Sequence, residues 1–167
     1  MKLFSANIED LRTLYTDTLE KALDMEQKIV KALPTMVEKS TDPELASAFR
    51  DHLEQTKGHV NKVEGLLRKA TGEASTGTCK VISSLVTSAE DNIKDAKDTG
   101  IRDISLIASG QQVEHHEIAV YGTLRTWAGI LGQRDDVAVL ESILKEEEKA
   151  DELLTQIAGH VNLQAAA

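Results

Sequence analysis

Residues 113–121 read Val-Glu-His-His-Glu-Ile-Ala-Val-Tyr. Glu114 and Glu117 stand three apart, a spacing that puts both carboxylates on one side of a helix. The flanking residues are otherwise patterned as core. Carboxylates rarely enter a core unless something compensates their charge, and a metal ion is the strongest such partner. The chemistry on offer is therefore a carboxylate-held metal centre. His115, between the two acids, is placed to hold a ligand carboxylate from behind, whereas His116 points away to solvent.

Centres of this kind gather ligands from several helices. The general dinuclear pattern takes one Glu from each of two helices and a Glu-x-x-His pair from each of two others. Such an oxygen-rich shell suits iron or manganese. Glu26 lies one turn from Ala22 and Ile29, near an inward face. It reads either as a ligand or as a flanking acid paired with Lys28 or Lys31. Glu54 sits at the edge of an apolar arc. His59, between Thr56 and Val63, reads either as a ligand or as a hydrogen-bonded core residue. Of Glu146, Glu147, Glu148 and Asp151, only Glu147 and Asp151 continue the line from Ile143 to Leu154. These two are taken as candidates, and Glu146 and Glu148 are left to solvent. Tyr121, one turn beyond Glu117, either hydrogen-bonds a ligand carboxylate or packs. Trp127 reads as core or interface.

Five helical segments must position these groups. The first is expected from about Asn7 to Lys39, with Leu11, Leu14, Thr18, Ala22, Met25, Ile29 and Leu33 inward and a kink at Pro34. The second runs from about Pro43 to Thr71, capped at Thr41 or Asp42, with Leu45, Phe49, Leu53, Val60, Val63 and Leu67 as its stripe. Thr71 to Thr78 is a loop. A short third helix follows from about Lys80 to Lys97, with Ile82, Leu85, Val86, Ala89 and Ile93 inward. The fourth spans about Ile101 to Leu131, its stripe passing through Ile104, Ala108, Gln111, Glu114 or His115, Ile118 and Gly122. The fifth spans about Asp135 to Val161, and the tail from Gln164 to Ala167 frays. The order long–long–short–long–long predicts two helix hairpins joined by a crossover. The expected fold is thus all-α, a ferritin-like four-helix bundle with one additional short helix, in a single domain over residues 1–167.

The composition agrees. The chain has 167 residues, 41% of them hydrophobic but only 3% aromatic, which favours a Leu/Ile/Val/Ala bundle over a β sandwich. The net charge of −9 disfavours nucleic acid or an anionic membrane as partner. No apolar run approaches the roughly 20 residues that span a bilayer, and Met1 to Glu9 lacks a signal-peptide core, so the expected compartment is the cytoplasm. Cys79 is the single cysteine, which excludes an internal disulfide and any Cys-rich cluster site. It reads as a buried or spare thiol. No glycine-rich phosphate loop or nucleophile elbow is present.

Lys31-Ala32-Leu33-Pro34, Asp42-Pro43-Glu44-Leu45, His52-Leu53-Glu54-Gln55-Thr56 and Val113 through Leu124 resemble the YciE/YciF family of bacterial ferritin-like stress proteins. Glu146-Glu147 followed by Asp151, and Cys79 opening the short helix, match as well. The resemblance runs from about residue 8 to 160, and Glu114-His-x-Glu-Ile-Ala-x-Tyr-Gly-Thr-Leu is its most specific part. It implies a homodimeric bundle associated with stress responses, with Glu26, Glu54, Glu114, Glu117 and Glu147 as ligands of an iron or manganese pair. Lys57 and Asp151 stand where the wider ferritin-like pattern has histidine, which implies a site built almost wholly of oxygen. Two functions follow as expectations. One is a metal protein that handles peroxide or dioxygen, or binds iron. The other is a non-enzymatic bundle with a vestigial site, working through protein contacts.

Overall fold

The stripes and breakers resolve into five helices in a computed structural model, which describes residues 8–165. Helix α1, Leu11–Lys39, begins later than expected because Asp10 caps it (Asn7 lies outside the described residues). The Asp10 carboxylate accepts from the Thr13 amide at 2.7 Å, and Thr13 Oγ1 accepts from the Asp10 amide at 3.1 Å. The helix continues through an exposed Pro34 without ending. Helix α2, Pro43–Thr71, has Pro43 in its first turn and Asp42 as cap, the latter accepting from the amides of Glu44 and Leu45. It closes at Gly72, whose φ of 87° is the left-handed conformation that glycine adopts without strain.

Helix α3, Lys80–Asp95, stops two residues short of the expected Lys97. Helix α4, Thr99–Ile130, starts earlier than expected because the Asp98 carboxylate accepts from Ile101 N. Helix α5, Arg134–Ala165, runs past Val161, so Gln164 is helical; Ala166 and Ala167 lie outside the described residues.

Turns of three residues fold α1 onto α2 and α4 onto α5. The two hairpins face each other, α1 against α4 and α2 against α5. The crossover lays α3 along α1 and α4. This is the expected ferritin-like arrangement. Among the described residues no helix is long and apolar enough to cross a membrane.

Buried aspartates fasten both ends. Asp103, 3% exposed, accepts from Thr41 N at 2.9 Å, Thr41 Oγ1 at 2.5 Å and Asp42 N at 2.9 Å, joining the α1–α2 turn to α4. At the other end Asp136 accepts from Tyr15 OH at 3.0 Å and Lys69 Nζ at 2.6 Å, joining α1, α2 and α5. Between these clamps lies a core of Leu19, Leu23, Leu45, Leu67, Leu124, Leu140 and Ile143, each at most 0% exposed. Each such side chain contributes about 1.5–3 kcal/mol by leaving water. Midway along the bundle, polar side chains interrupt this apolar interior.

Two helix faces differ from expectation. On α2 the buried line runs through Leu45, Phe49, His52, Thr56, His59 and Val63, leaving Leu53 and Val60 half-buried. On α4 it runs through Leu106, Gly110, Glu114, Glu117, Tyr121 and Leu124. Ala108 and His115 are exposed, and Gln111, Ile118 and Gly122 half-buried. Helix α4 packs on α1, α3 and α5, so apolar residues occur around much of its circumference and its face is poorly marked by hydrophobicity.

Candidate metal centre

Each long helix sends ionisable side chains into the central layer. Glu26 comes from α1, His52 and His59 from α2, Glu114 and Glu117 from α4, and Glu147 from α5. All six are buried, with Glu26, His59, Glu117 and Glu147 at 0% exposure. They form two groups in which the potential ligand atoms lie within 4.8 Å of one another. One is His52, Glu114, Glu117 and Glu147; the other is Glu26, His59 and Glu147. Glu147 belongs to both.

His52 Nε2 lies 3.3 Å from Glu114 Oε1, and His52 Nδ1 lies 4.0 Å from Glu147 Oε2. His59 Nδ1 faces Glu147 Oε1 at 2.9 Å and Glu26 Oε2 at 3.7 Å. The 2.9 Å approach is not aligned as a hydrogen bond, and both of its atoms lack a partner. Nine buried nitrogen and oxygen atoms of these six side chains have no hydrogen-bond partner at all. Native interiors leave few such atoms, because each costs about 1–3 kcal/mol.

The electrostatics carry the same strain. Burial, then the charges of Glu147 and Glu26, hold Glu114 and Glu117 well above the ordinary carboxyl range. Burial and the charge of Glu26 push Glu147 up to about 7, against the opposing influence of His59. Burial, then the charge of His59, brings His52 down to about 4. For His59 burial acts against the proton, but Glu147 and Glu26 outweigh it and raise the imidazole to about 10. Four carboxyls this close cannot all ionise at neutral pH without compensating cations. Two divalent ions carry the charge that balances four carboxylates. Four carboxylates and two imidazoles are donors that iron and manganese accept. The donor set therefore fits a pair of such ions, and Glu147 is common to both groups.

Surrounding groups orient two of the six, Glu26 and His59. Tyr121 OH donates a short hydrogen bond to Glu26 Oε1, the first of the two alternatives open for that tyrosine. His59 Nε2 lies 2.5 Å from Glu146 Oε2, which also receives Lys62 Nζ at 3.1 Å. Glu146, expected in solvent, is thus the outer partner that turns His59 Nδ1 inward.

Of the residues chosen from sequence, the fold brings Glu26, His59, Glu114, Glu117 and Glu147 together. It does not bring Glu54, which is exposed and paired with Lys57 at 2.6 Å. Residues two apart on a helix point in nearly opposite directions, so burying His52 sends Glu54 outward. Lys57 leaves with it and places no ammonium in the centre. Asp151 is half-buried at the rim, outside both groups, with Oδ1 3.2 Å from His115 Nδ1. His115 is exposed and also lies 2.9 Å from Gln111 O, so it does not support Glu114 or Glu117. His116, expected in solvent, is half-buried with Nε2 3.6 Å from Sγ of the buried Cys79.

His52 was the residue missed. Its signal was its place three residues after Phe49 and four before Thr56, on the same line as His59. With two imidazoles the centre is not the nearly all-oxygen site that Lys57 and Asp151 implied.

Fold and centre together define a helical hairpin bundle built around a buried carboxylate–imidazole group. The chain belongs to the family described as Domain of unknown function (DUF892), which it matches over residues 10–167. It is 30% identical to Protein YciF of Escherichia coli (strain K12) over 161 residues, covering 95% of this chain and 97% of that protein. Among solved structures, YcfI from Rhodopseudomonas palustris aligns with a TM-score of 0.88 at 34% identity, covering 92% of this chain and 98% of that one. The E. coli stress protein YciF aligns with a TM-score of 0.87 at 29% identity, covering 92% and 97%. The resemblance read from the sequence is borne out.

Proposed function

We propose that this protein binds a pair of divalent iron or manganese ions between its hairpins and uses them to handle dioxygen or peroxide in a stress response. The observation that carries the reading is the set of nine unpartnered buried atoms on six side chains converging from all four long helices. A packing role would have selected apolar residues there, since a half-satisfied polar network is less stable than an apolar core. The stress role extends to this chain what the E. coli relative is called. Glu26, Glu114, Glu117, Glu147, His52 and His59 would hold the ions. Bound iron or manganese supplies redox chemistry. The protein's own groups supply the ligand frame, the exclusion of water and the phenol proton held at Tyr121.

A second reading is favoured by His59. It sits against Glu26, Glu146 and Glu147, where an imidazolium compensates carboxylates without a metal. That arrangement describes a vestigial site in a non-enzymatic bundle acting through protein contacts. Elemental analysis of protein purified without chelator, followed by reconstitution with Fe2+ and Mn2+, separates the two. The metal reading expects about two ions per chain. It fails if neither preparation retains any.

A further inference from the structure

Two cavities reach the His52 side of the centre, and their chemistry differs. One, of about 70 Å3, lies between α1, α3 and α4. Its walls are Leu33, Met36, Phe49, Ala89, Ile93 and Val113, and His52 and Glu114 stand at its buried end. Its outer residues Lys31, Thr35 and Glu90 are exposed. The other, of about 210 Å3, lies between α2 and α5 and ends on the same His52 and Glu114, but Asp51, Gln55, Glu146 and Lys149 line it. The Phe49 ring borders both. Gly110 lets it do so, since a Cβ there would stand 3.2 Å from Phe49 Cε1 and 2.9 Å from Leu154 Cδ1.

We propose that the apolar cavity behind α3 is the binding site and entry route for dioxygen, and that hydrogen peroxide does not use it. The inference rests on the metal reading above and decides between the two oxidants that reading allows. One water needs about 10–15 Å3 on the same measure, so the cavity has room for a molecule the size of dioxygen. Apart from Ser109, whose hydroxyl accepts from Asn92 Nδ2 at 3.4 Å, its inner walls are apolar, which suits an uncharged apolar molecule and penalises peroxide, which must keep its hydrogen bonds. Both ring nitrogens of His52, a side chain 5% exposed, are unpartnered at its inner end. Peroxide and cations have the polar cavity between α2 and α5 instead.

The test uses xenon, which enters dry apolar cavities, and two plugged variants. Ala89→Leu adds three carbon atoms from the α3 wall. Ile93→Phe fills the same space from one turn further on, should the first variant fold poorly. Wild-type protein crystallised under xenon pressure should hold xenon between Ala89 and His52, and the variants should lose it. This arm needs no metal. In Fe2+-loaded protein the variants should slow oxidation by dioxygen about tenfold and leave oxidation by hydrogen peroxide and Fe2+ uptake unchanged. No xenon in the wild-type cavity overturns the proposal, as does equal slowing with both oxidants or slowing with neither. Failure of the wild type to take up Fe2+ overturns the metal reading and the delivery role with it, while xenon beside His52 would still identify the cavity as a site for apolar gases.

Discussion

His59 of α2 presents Nδ1 to Glu147 of α5 at 2.9 Å, and Glu147 is the residue common to both groups of potential ligands. The two halves of the centre therefore depend unequally on their members. Glu147→Gln should abolish metal retention, from about two ions per chain to none, whereas Glu26→Gln should leave about one. Inductively coupled plasma mass spectrometry after reconstitution reads this directly. A Glu147→Gln protein with its full complement of metal would remove the shared-ligand arrangement.

His52 and Glu54 make a paired comparison, since both lie in the middle of α2. His52→Ala should weaken metal binding by about 10-fold or more, as loss of a buried partner does. Glu54→Ala removes an exposed pair with Lys57. It should change neither metal content nor stability beyond about 0.5 kcal/mol. Isothermal titration with Mn2+ and thermal melts distinguish the two. Equal losses from both would place the ligand face of α2 elsewhere.

The fold was readable because helix lengths and breakers are local. Asp42-Pro43 and Gly72 act through neighbouring amides and through backbone conformation, and the order of long and short helices left few topologies. The centre was readable where an acid broke an apolar stripe, as at Glu26, Glu117 and Glu147. It was misread on α2, where Leu53 and Val60 are apolar but only half-buried and draw the apparent face about one residue away from His52. Glu146 was misjudged for a different reason. Its role comes from His59 and Lys62 on another helix, a relationship that no pattern along α5 encodes.

Glu146→Gln tests that relationship. The amide keeps the shape but weakens the bond that fixes the His59 ring. Metal affinity should fall by about 10–100-fold, the range for loss of an outer carboxylate, with the helical content unchanged. Competition with a chromogenic chelator measures it. Unaltered affinity would mean that the His59–Glu146 contact does not orient the ring.

The metal-free protein should lose stability as pH rises. Glu147, raised from 4.5 to about 7, contributes stability that is fully present below about pH 4.5 and lost as pH rises through about 7. His59, raised from 6.5 to about 10, contributes stability present below about pH 6.5 and lost as pH rises through about 10. His52, lowered to about 4, acts oppositely and withdraws stability as pH falls from about 6.5 through 4. Melting temperature in the presence of chelator should therefore decline between about pH 7 and 10, and Mn2+ should suppress the decline. A chelated protein that melts higher at pH 10 than at pH 7 would contradict the assigned shifts.

The aspartate clamps have a bearing on ion choice. Asp103 and Asp136 fasten the hairpins at opposite ends, so the spacing between α1, α2, α4 and α5 at mid-bundle is set when the chain folds. Ligands mounted on such a frame cannot close around a small ion or spread for a large one without disturbing both ends. On the metal reading proposed above, ionic radius then becomes a selection criterion that the donor chemistry alone does not provide, and loosening either clamp would blur that selection at a distance from every candidate ligand.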